Sequence, residues 1–379
     1  MNAPTTGRRF DLDWIRIFAF AVLVPYHVGM YYVSWDWHVK SSFAAPTLEP
    51  FMILSAPWRL CLLFFISGVA TAFLQAKSNN GFFRSRTYRL LLPLIFGMLV
   101  IVPPQSYFEV VKDLGYSNGY LAFWWQYLTG YQGFCDQDGC LDVPTWNHLW
   151  FLIYLLVYTL AIPLLKWLPS WPKKMALNGF GVLVWPALYF IIARLLLLER
   201  FESTHALFGD WYNHAQYFFI FILGVKVANS EAFWQAMHSK RWLSLALTLA
   251  GAIFLFSYFS YYSDAFPAPD YIRLIQRMVW GMQQWLVICT LLGFAYQWRH
   301  ADSSAIRLLT QAVFPLYILH QTVIILLTQV LKPLAWHPIL EGPALIALTF
   351  AICWLAFLVL RRLRWIAPLF GIKNQKVSL

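Results

Sequence analysis

The sequence predicts an all-α, polytopic membrane protein with about ten transmembrane helices and both termini in the cytoplasm. Three observations carry this prediction. Apolar residues fill 60% of the 379 positions and charged residues 12%, with a mean hydropathy of +0.56, whereas soluble domains average roughly 45–50% and about 25%. Ten stretches approach the ~20 apolar residues that cross a hydrocarbon core. Lysine and arginine alternate in density from one connecting segment to the next, as the positive-inside rule requires. The net charge of +11 is therefore membrane anchoring. A nucleic-acid partner would need a dense basic stripe on a soluble surface, and none is present.

In chain order the stretches are Trp14–Val33, Met52–Leu74, Leu90–Phe108, His148–Lys166, Leu177–Leu198, His214–Asn229, Leu243–Tyr262, Leu274–Gln297, Leu308–Leu331 and Pro343–Arg361. The first is read as a retained helix and not a signal peptide. Asp11, Asp13 and Arg16 precede or enter its apolar run, and no small-residue cleavage site follows. The sixth is the shortest. Pro25, Pro93, Pro186 and Pro315 fall inside spans, which bundled membrane helices tolerate. Arg8, Arg9, Lys77, Arg84, Arg86, Arg89, Lys166, Lys173, Lys174, Lys240, Arg241, Arg361, Arg362, Lys373 and Lys376 belong to the richer, cytoplasmic set of segments. Lys40, Arg59, Lys112, Arg194, Arg200, Arg273, Arg277 and Lys332 fall on the other side. No internal repeat or separate soluble domain interrupts the pattern, so residues 1–379 read as one transmembrane domain with a core at about 10–365. Cys61, Cys289 and Cys353 lie within spans and read as small apolar residues. Cys135 and Cys140 share an outer loop with Asp136, Gln137 and Asp138. An oxidising compartment favours a disulfide there; two free thiols, or a metal site with the aspartates, are the alternatives.

Ionisable groups inside spans are costly and so mark candidate sites. Arg16 and His27 are eleven residues apart, which returns to within about 20° of the same helix face at a rise of roughly 16 Å. Asp13, one turn before Arg16, is placed to pair with it, and Tyr31 extends the stripe. His320 sits near mid-depth of the ninth span with Tyr317 on its face. Arg273 and Arg277 are one turn apart at the outer end of the eighth span, with Gln284 on the same face, and suit an anionic or sugar ligand. His148 and Arg194 lie at outer helix ends. On the cytoplasmic side, Arg86 and Arg89 form an i, i+3 fork suited to phosphate. Each has a plainer alternative: a histidine satisfied by a backbone carbonyl, an arginine snorkelling to headgroups, or an ordinary inner-side anchor.

Several short runs resemble the membrane acyltransferase-3 family. Arg16 and His27, in Phe10-Asp11-Leu12-Asp13-Trp14-Ile15-Arg16 and Val24-Pro25-Tyr26-His27, resemble its first-helix signature. Leu63-Phe64-Phe65-Ile66-Ser67-Gly68 is similar to its second-helix element, and Arg86-Thr87-Tyr88-Arg89 to its cytoplasmic RxxR element. His148-Leu149-Trp150-Phe151-Leu152 and Tyr317-Ile318-Leu319-His320-Gln321 resemble later elements, in family order. Where many members carry an acidic pair, this chain has Ile153-Tyr154-Leu155-Leu156, so no carboxylate is carried over there. The stand-alone form, with no fused esterase-like domain, resembles the branch that succinylates periplasmic glucans.

The resemblance implies a multi-pass inner-membrane O-acyltransferase. Acetyl- or succinyl-CoA would be a cytoplasmic co-substrate, with no cofactor or metal permanently bound. The acceptor would be a hydroxyl of a glycan or lipid-linked sugar. His27 would act as general base or acyl carrier. Arg16, held by Asp13, would position the donor or polarise its carbonyl, and Arg86 and Arg89 would bind CoA phosphates. Arg273, Arg277, His148, Tyr317 and His320 would line the acceptor region. A secondary transporter of an organic anion or sugar is the competing class, because intramembrane His and Arg occur there too, although the paired repeats of many transporters are not visible. A structural subunit would leave the Arg16–His27 stripe unexplained.

Overall fold

The computed structural model describes residues 8–77, 81–136, 139–167 and 177–372. Lys173, Lys174, Lys373 and Lys376, together with Gln137 and Asp138, lie outside the described residues, as does the side chain of Lys166. The elements are all helical: α1 (Phe10–Tyr32), α2 (Glu49–Ile53), α3 (Arg59–Lys77), α4 (Phe82–Phe96), α5 (Pro103–Leu114), α6 (Tyr120–Leu128) and α7 (Trp150–Ala161). These are followed by α8 (Gly181–Leu197), α9 (Trp211–Val227), α10 (Glu231–Ser239), α11 (Arg241–Tyr261), α12 (Asp270–Ala295), α13 (Ser304–Leu331) and α14 (Pro338–Leu360).

Among the described residues, 8 helical segments are long and apolar enough to cross a membrane. A ninth is the α9–α10 pair, bent by 111°, and the apolar Gly181–Leu197 falls just short of the length. Each of the ten expected stretches thus falls on an apolar helix, and the protein is an all-α polytopic membrane protein. Two boundaries differ from expectation for local reasons. The second span begins at Arg59 and not at Met52, because Pro57 has no N–H with which to continue a helix and residues 54–58 form a turn. The sixth breaks after Val227, where Ser230 starts a new helix by accepting the Phe233 N–H at 3.3 Å, as N-cap serines do.

The chain forms two compact units. One comprises residues to Ala19, Glu49–Phe83 and Val157–Thr310. Within it α3 lies against α9, and α12 against both α8 and α11. The α3–α9 contact is backbone to backbone. A Cβ on Gly68 would run into the Phe221 carbonyl, and one on Gly224 into the Phe65 carbonyl. Small residues permit this approach between membrane helices.

The other unit comprises Phe20–Leu48, Arg84–Leu156 and residues from Gln311 onward. Its α4 ends in a π-turn, Gly97–Ile101, with the Val102 N–H on the Gly97 carbonyl at 2.8 Å. Pro103 and Pro104 follow and supply no N–H, so the carbonyls one turn back lose their helical donors. Side chains take their place. Trp124 Nε1 donates to the Leu99 carbonyl at 2.9 Å and Tyr127 Oη to Met98 at 3.0 Å; Ile101, whose helical donor Gln105 N–H turns to Val102 at 2.8 Å, accepts from Thr322 Oγ1 at 2.7 Å. The break redirects the chain so that Gln105, fully buried, joins the polar cluster described next. Beyond α5, a small core of Val110, Phe123, Tyr127, Phe134 and Val143 seats α6. The loop after it is closed by a Cys135–Cys140 disulfide with a Cα separation of 4.0 Å. The free thiols Cys61, Cys289 and Cys353 are buried.

Candidate active site

Four of the residues singled out in the sequence meet inside the second unit: His27 on α1, His148 just before α7, and Tyr317 and His320 on α13. His27 Nδ1 lies 2.8 Å from His320 Nε2, and the two rings are within 21° of parallel, with centroids 5.0 Å apart. The hydrogen-bond partners assign the protons. His320 Nδ1 is 2.7 Å from the Tyr317 carbonyl, which can only accept, so Nδ1 carries the hydrogen. Neutral His320 then presents a lone pair at Nε2, and His27 Nδ1–H donates to it. The lone pair of His27 is thereby placed at Nε2. His320 is fully buried and Phe20 meets its ring edge-on at 5.6 Å, so the acceptor has little room to turn.

His148 packs edge-on against His320, with centroids 5.3 Å apart. Its Nε2–H donates to the Ile318 carbonyl at 3.1 Å, and its Nδ1 accepts from Gln105 Nε2 at 3.2 Å. Both ring nitrogens are thus engaged by protein groups, and His148 supports the dyad through contact. Tyr317 Oη donates to the His148 carbonyl at 2.5 Å, tying α13 to the start of α7.

Six further polar residues complete the cluster, none singled out as a site residue from the sequence. Gln105 Oε1 accepts from Asn147 Nδ2 at 3.2 Å and from Gln321 Nε2 at 3.0 Å, and Gln105 Nε2 also donates to Thr322 Oγ1 at 2.7 Å. Gln321 Nε2 reaches His38 Nε2 at 3.0 Å, and His38 Nδ1 reaches Glu109 Oε2 at 2.6 Å. The available signals were an intramembrane glutamine directly after two prolines and a second glutamine beside His320.

The remaining candidates are placed elsewhere. Asp13 is shared by Arg8 Nε at 2.6 Å and Arg16 Nη1 at 3.8 Å, so the expected Asp13–Arg16 pair exists, with Arg8 as the closer partner. Arg86 and Arg89 are three residues apart on α4 and both half-buried, whereas Arg84 is exposed. Arg273 and Arg277 belong to the first unit. There Arg273 pairs with Asp270, and Arg277 Nη1 reaches Glu199 Oε1 at 2.7 Å. Their charges are met by carboxylates of their own unit. Arg194 is buried, donates to Tyr212 Oη at 2.8 Å and lies 4.4 Å over the Trp280 ring. Among the described residues, no group of three His, Cys, Asp or Glu side chains is placed to hold a metal ion.

The fold and the site define a polytopic all-α membrane protein with paired histidines on its first and ninth apolar stretches. The chain belongs to the acyltransferase-3 family, whose acyltransferase-domain profile covers residues 9–358. Curated relatives include glucans biosynthesis protein C of Salmonella gallinarum, 24% identical over 173 residues, which is 45% of this chain and 42% of that protein. The protein of the same name from Escherichia coli K12 is 28% identical over 161 residues, 42% of this chain and 39% of its own. The chain thus matches about two-fifths of the length of these relatives. No solved structure matches it significantly.

Proposed function

We propose that this protein is an inner-membrane O-acyltransferase, with both termini cytoplasmic. It moves an acetyl or succinyl group from acyl-CoA on the cytoplasmic side to a hydroxyl of a glycan or lipid-linked sugar on the opposite side. The observation that carries the reading is the 2.8 Å His27–His320 bond with its protons assigned as above. It makes His27 a base of fixed tautomer, oriented by a neutral second imidazole and not by a carboxylate.

In the transfer, His27 Nε2 takes the proton of the acceptor hydroxyl as that oxygen attacks the thioester carbonyl. The C–O bond forms, the tetrahedral intermediate collapses, and the C–S bond breaks. The proton on His27 Nε2 then passes to the CoA sulfur. Acid–base assistance of this kind contributes about 10²–10⁴-fold. The transient imidazolium keeps its Nδ1–H bond to His320, which becomes charge-assisted and stronger. Arg86 and Arg89 on α4 suit the phosphates of the donor. Arg16, on the same helix as His27 and roughly 16 Å before it, suits the pantetheine arm or the thioester oxygen. Arg273 and Arg277 hold carboxylates already and are left out of this reading.

The test supplies radiolabelled acetyl-CoA and succinyl-CoA to membranes containing wild type, His27→Ala or Arg16→Ala, and follows label into glycan. Label transfer by wild type that is lost in His27→Ala at normal protein level is expected. Transfer surviving at the wild-type rate in His27→Ala overturns the assignment. Purified wild type that moves a solute into liposomes and never consumes acyl-CoA favours a transporter.

A further inference from the structure

We propose that Glu109 and His38 form a positioning pair that sets, through Gln321 and Gln105, which ring nitrogen of His148 carries the proton. The proposal rests on the acyl-transfer reading for its purpose, but on the hydrogen-bond chain alone for its content.

With His38 neutral, the placement of the amides gives the chain a direction. The Glu109 carboxylate only accepts, so His38 donates from Nδ1 at 2.6 Å, and neutral His38 turns a lone pair at Nε2 toward Gln321. Gln321 must answer with its amide nitrogen. That same nitrogen donates its second hydrogen to Gln105 Oε1 at 3.0 Å. With its oxygen so occupied, Gln105 presents its own nitrogen to His148 Nδ1 at 3.2 Å. His148 is then obliged to carry its proton on Nε2, where it donates to the Ile318 carbonyl. All of these side chains lie in the second unit, and Gln105, Gln321 and His148 are buried, so an unmatched donor there has no water to turn to.

A proton gained by His38 reverses every link. His38 Nε2 becomes a donor, and Gln321 must rotate its amide to offer oxygen. That oxygen opposes Gln105 Oε1, so Gln105 rotates as well and turns its oxygen toward His148 Nδ1, and Asn147, which had donated to Gln105 Oε1, must turn its own amide to accept. His148 must then protonate there or surrender its bond to Ile318. His38 thus reports its protonation state across two amides to the ring packed against His320. Partly exposed at its outer end, the pair has other charged neighbours. Lys112 donates to the Trp37 carbonyl and pairs with Asp36 and Asp113, and Lys40 donates to the Met30 and Val33 carbonyls. None of these is part of the chain of bonds.

The experiment uses the full-length protein in nanodiscs. Histidine C2 hydrogen–deuterium exchange, read by mass spectrometry on the His148 peptide across pH, is compared in wild type, Glu109→Gln, Gln321→Met and the double variant. Acyl-transfer kcat and KM are measured alongside. In wild type the exchange profile of His148 is expected to depend on Glu109, so that Glu109→Gln moves its midpoint. With Gln321→Met the link is cut, and adding Glu109→Gln then changes nothing further. In the same series kcat falls about tenfold in each single variant and no further in the double, with KM for acyl-CoA unchanged. Glu109→Asp, which keeps the anionic acceptor that the neutral amide of Glu109→Gln replaces with a weaker one, retains most of the wild-type kcat. Gln105→Met makes the same cut one link along, should Gln321→Met fail to fold. A His148 profile indifferent to Glu109→Gln, or effects of Glu109→Gln and Gln321→Met that simply add, overturns the proposal. A wild-type protein that transfers no acyl group overturns the function proposed above instead, and the exchange coupling still decides this one.

Discussion

Replacing His320 tests the mechanism most directly. His320→Leu removes the acceptor of the His27 Nδ1–H bond while keeping an apolar side chain in the buried space. In the ground state that bond joins two neutral rings. In the transition state His27 carries a positive charge, and a hydrogen bond to a charged group is worth about 1.5–3 kcal/mol. Because His320 is fully buried, water does not replace it. The neutral bond lost from the ground state, about 1 kcal/mol, offsets part of this, and the remaining ~0.5–2 kcal/mol of differential stabilisation converts to a kcat lower by about 2- to 30-fold, with KM for acyl-CoA unchanged because the donor does not touch this nitrogen. His320→Gln provides the control. Its terminal amide oxygen reaches the position of Nε2 and still accepts, so it keeps more activity than either His320→Leu or His320→Asn, whose amide is too short. The assay is initial-rate transfer from radiolabelled acyl-CoA at matched protein level. If His320→Leu and His320→Gln are equally active, His320 does not orient His27 and the tautomer argument fails.

Other outcomes follow from the same structure. Pro103→Ala restores an N–H that competes with Trp124 for the Leu99 carbonyl; it straightens the α4–α5 break, displaces Gln105 and lowers kcat about tenfold at unchanged expression. Gly68→Ala forces α3 away from the Phe221 carbonyl and costs about 2 kcal/mol or more, read as a lower midpoint in thermal unfolding by tryptophan fluorescence. Removing the Cys135–Cys140 bridge by paired serine substitution releases a six-residue loop; the chain-entropy estimate is about 2 kcal/mol, visible as faster backbone amide exchange confined to the segment around residues 134–141. Arg86→Ala raises KM for acyl-CoA more than it lowers kcat, as loss of a phosphate contact to a bound donor does.

The spans were legible because lipid imposes one rule on every residue of a crossing helix, and each of the ten expected stretches lies on an apolar helix. The turn at residues 54–58 was less legible, since an apolar run through Pro57 keeps the same hydropathy whether or not it is helical. The His27–His320 meeting was half legible. Each histidine stood out as an ionisable group at mid-span, but 293 residues separate them and no local pattern says that their spans adjoin. Gln105 and Gln321 were passed over because an uncharged amide in a span carries a weaker signal than an imidazole. His38 and Glu109 were passed over because each is ordinary near a helix end and acquires meaning only beside the other. Arg273 and Arg277 stood out for the same reason as the histidines. From sequence, two arginines entering a membrane seek an anion, and the structure supplies Asp270 and Glu199.

The glycine-bared contact between α3 and α9 has a consequence for biosynthesis. Gly68 and Phe221 are separated by roughly 150 residues, which at about 5–20 residues per second take about 8–30 s to make. For that interval α3 is in the membrane with a notch cut for a helix that has not yet left the ribosome. Lipid chains or the insertion machinery must cover the notch and then give way, and a chain that terminates before α9 never fills it. Products ending before Trp211 therefore keep open a groove that the finished protein fills.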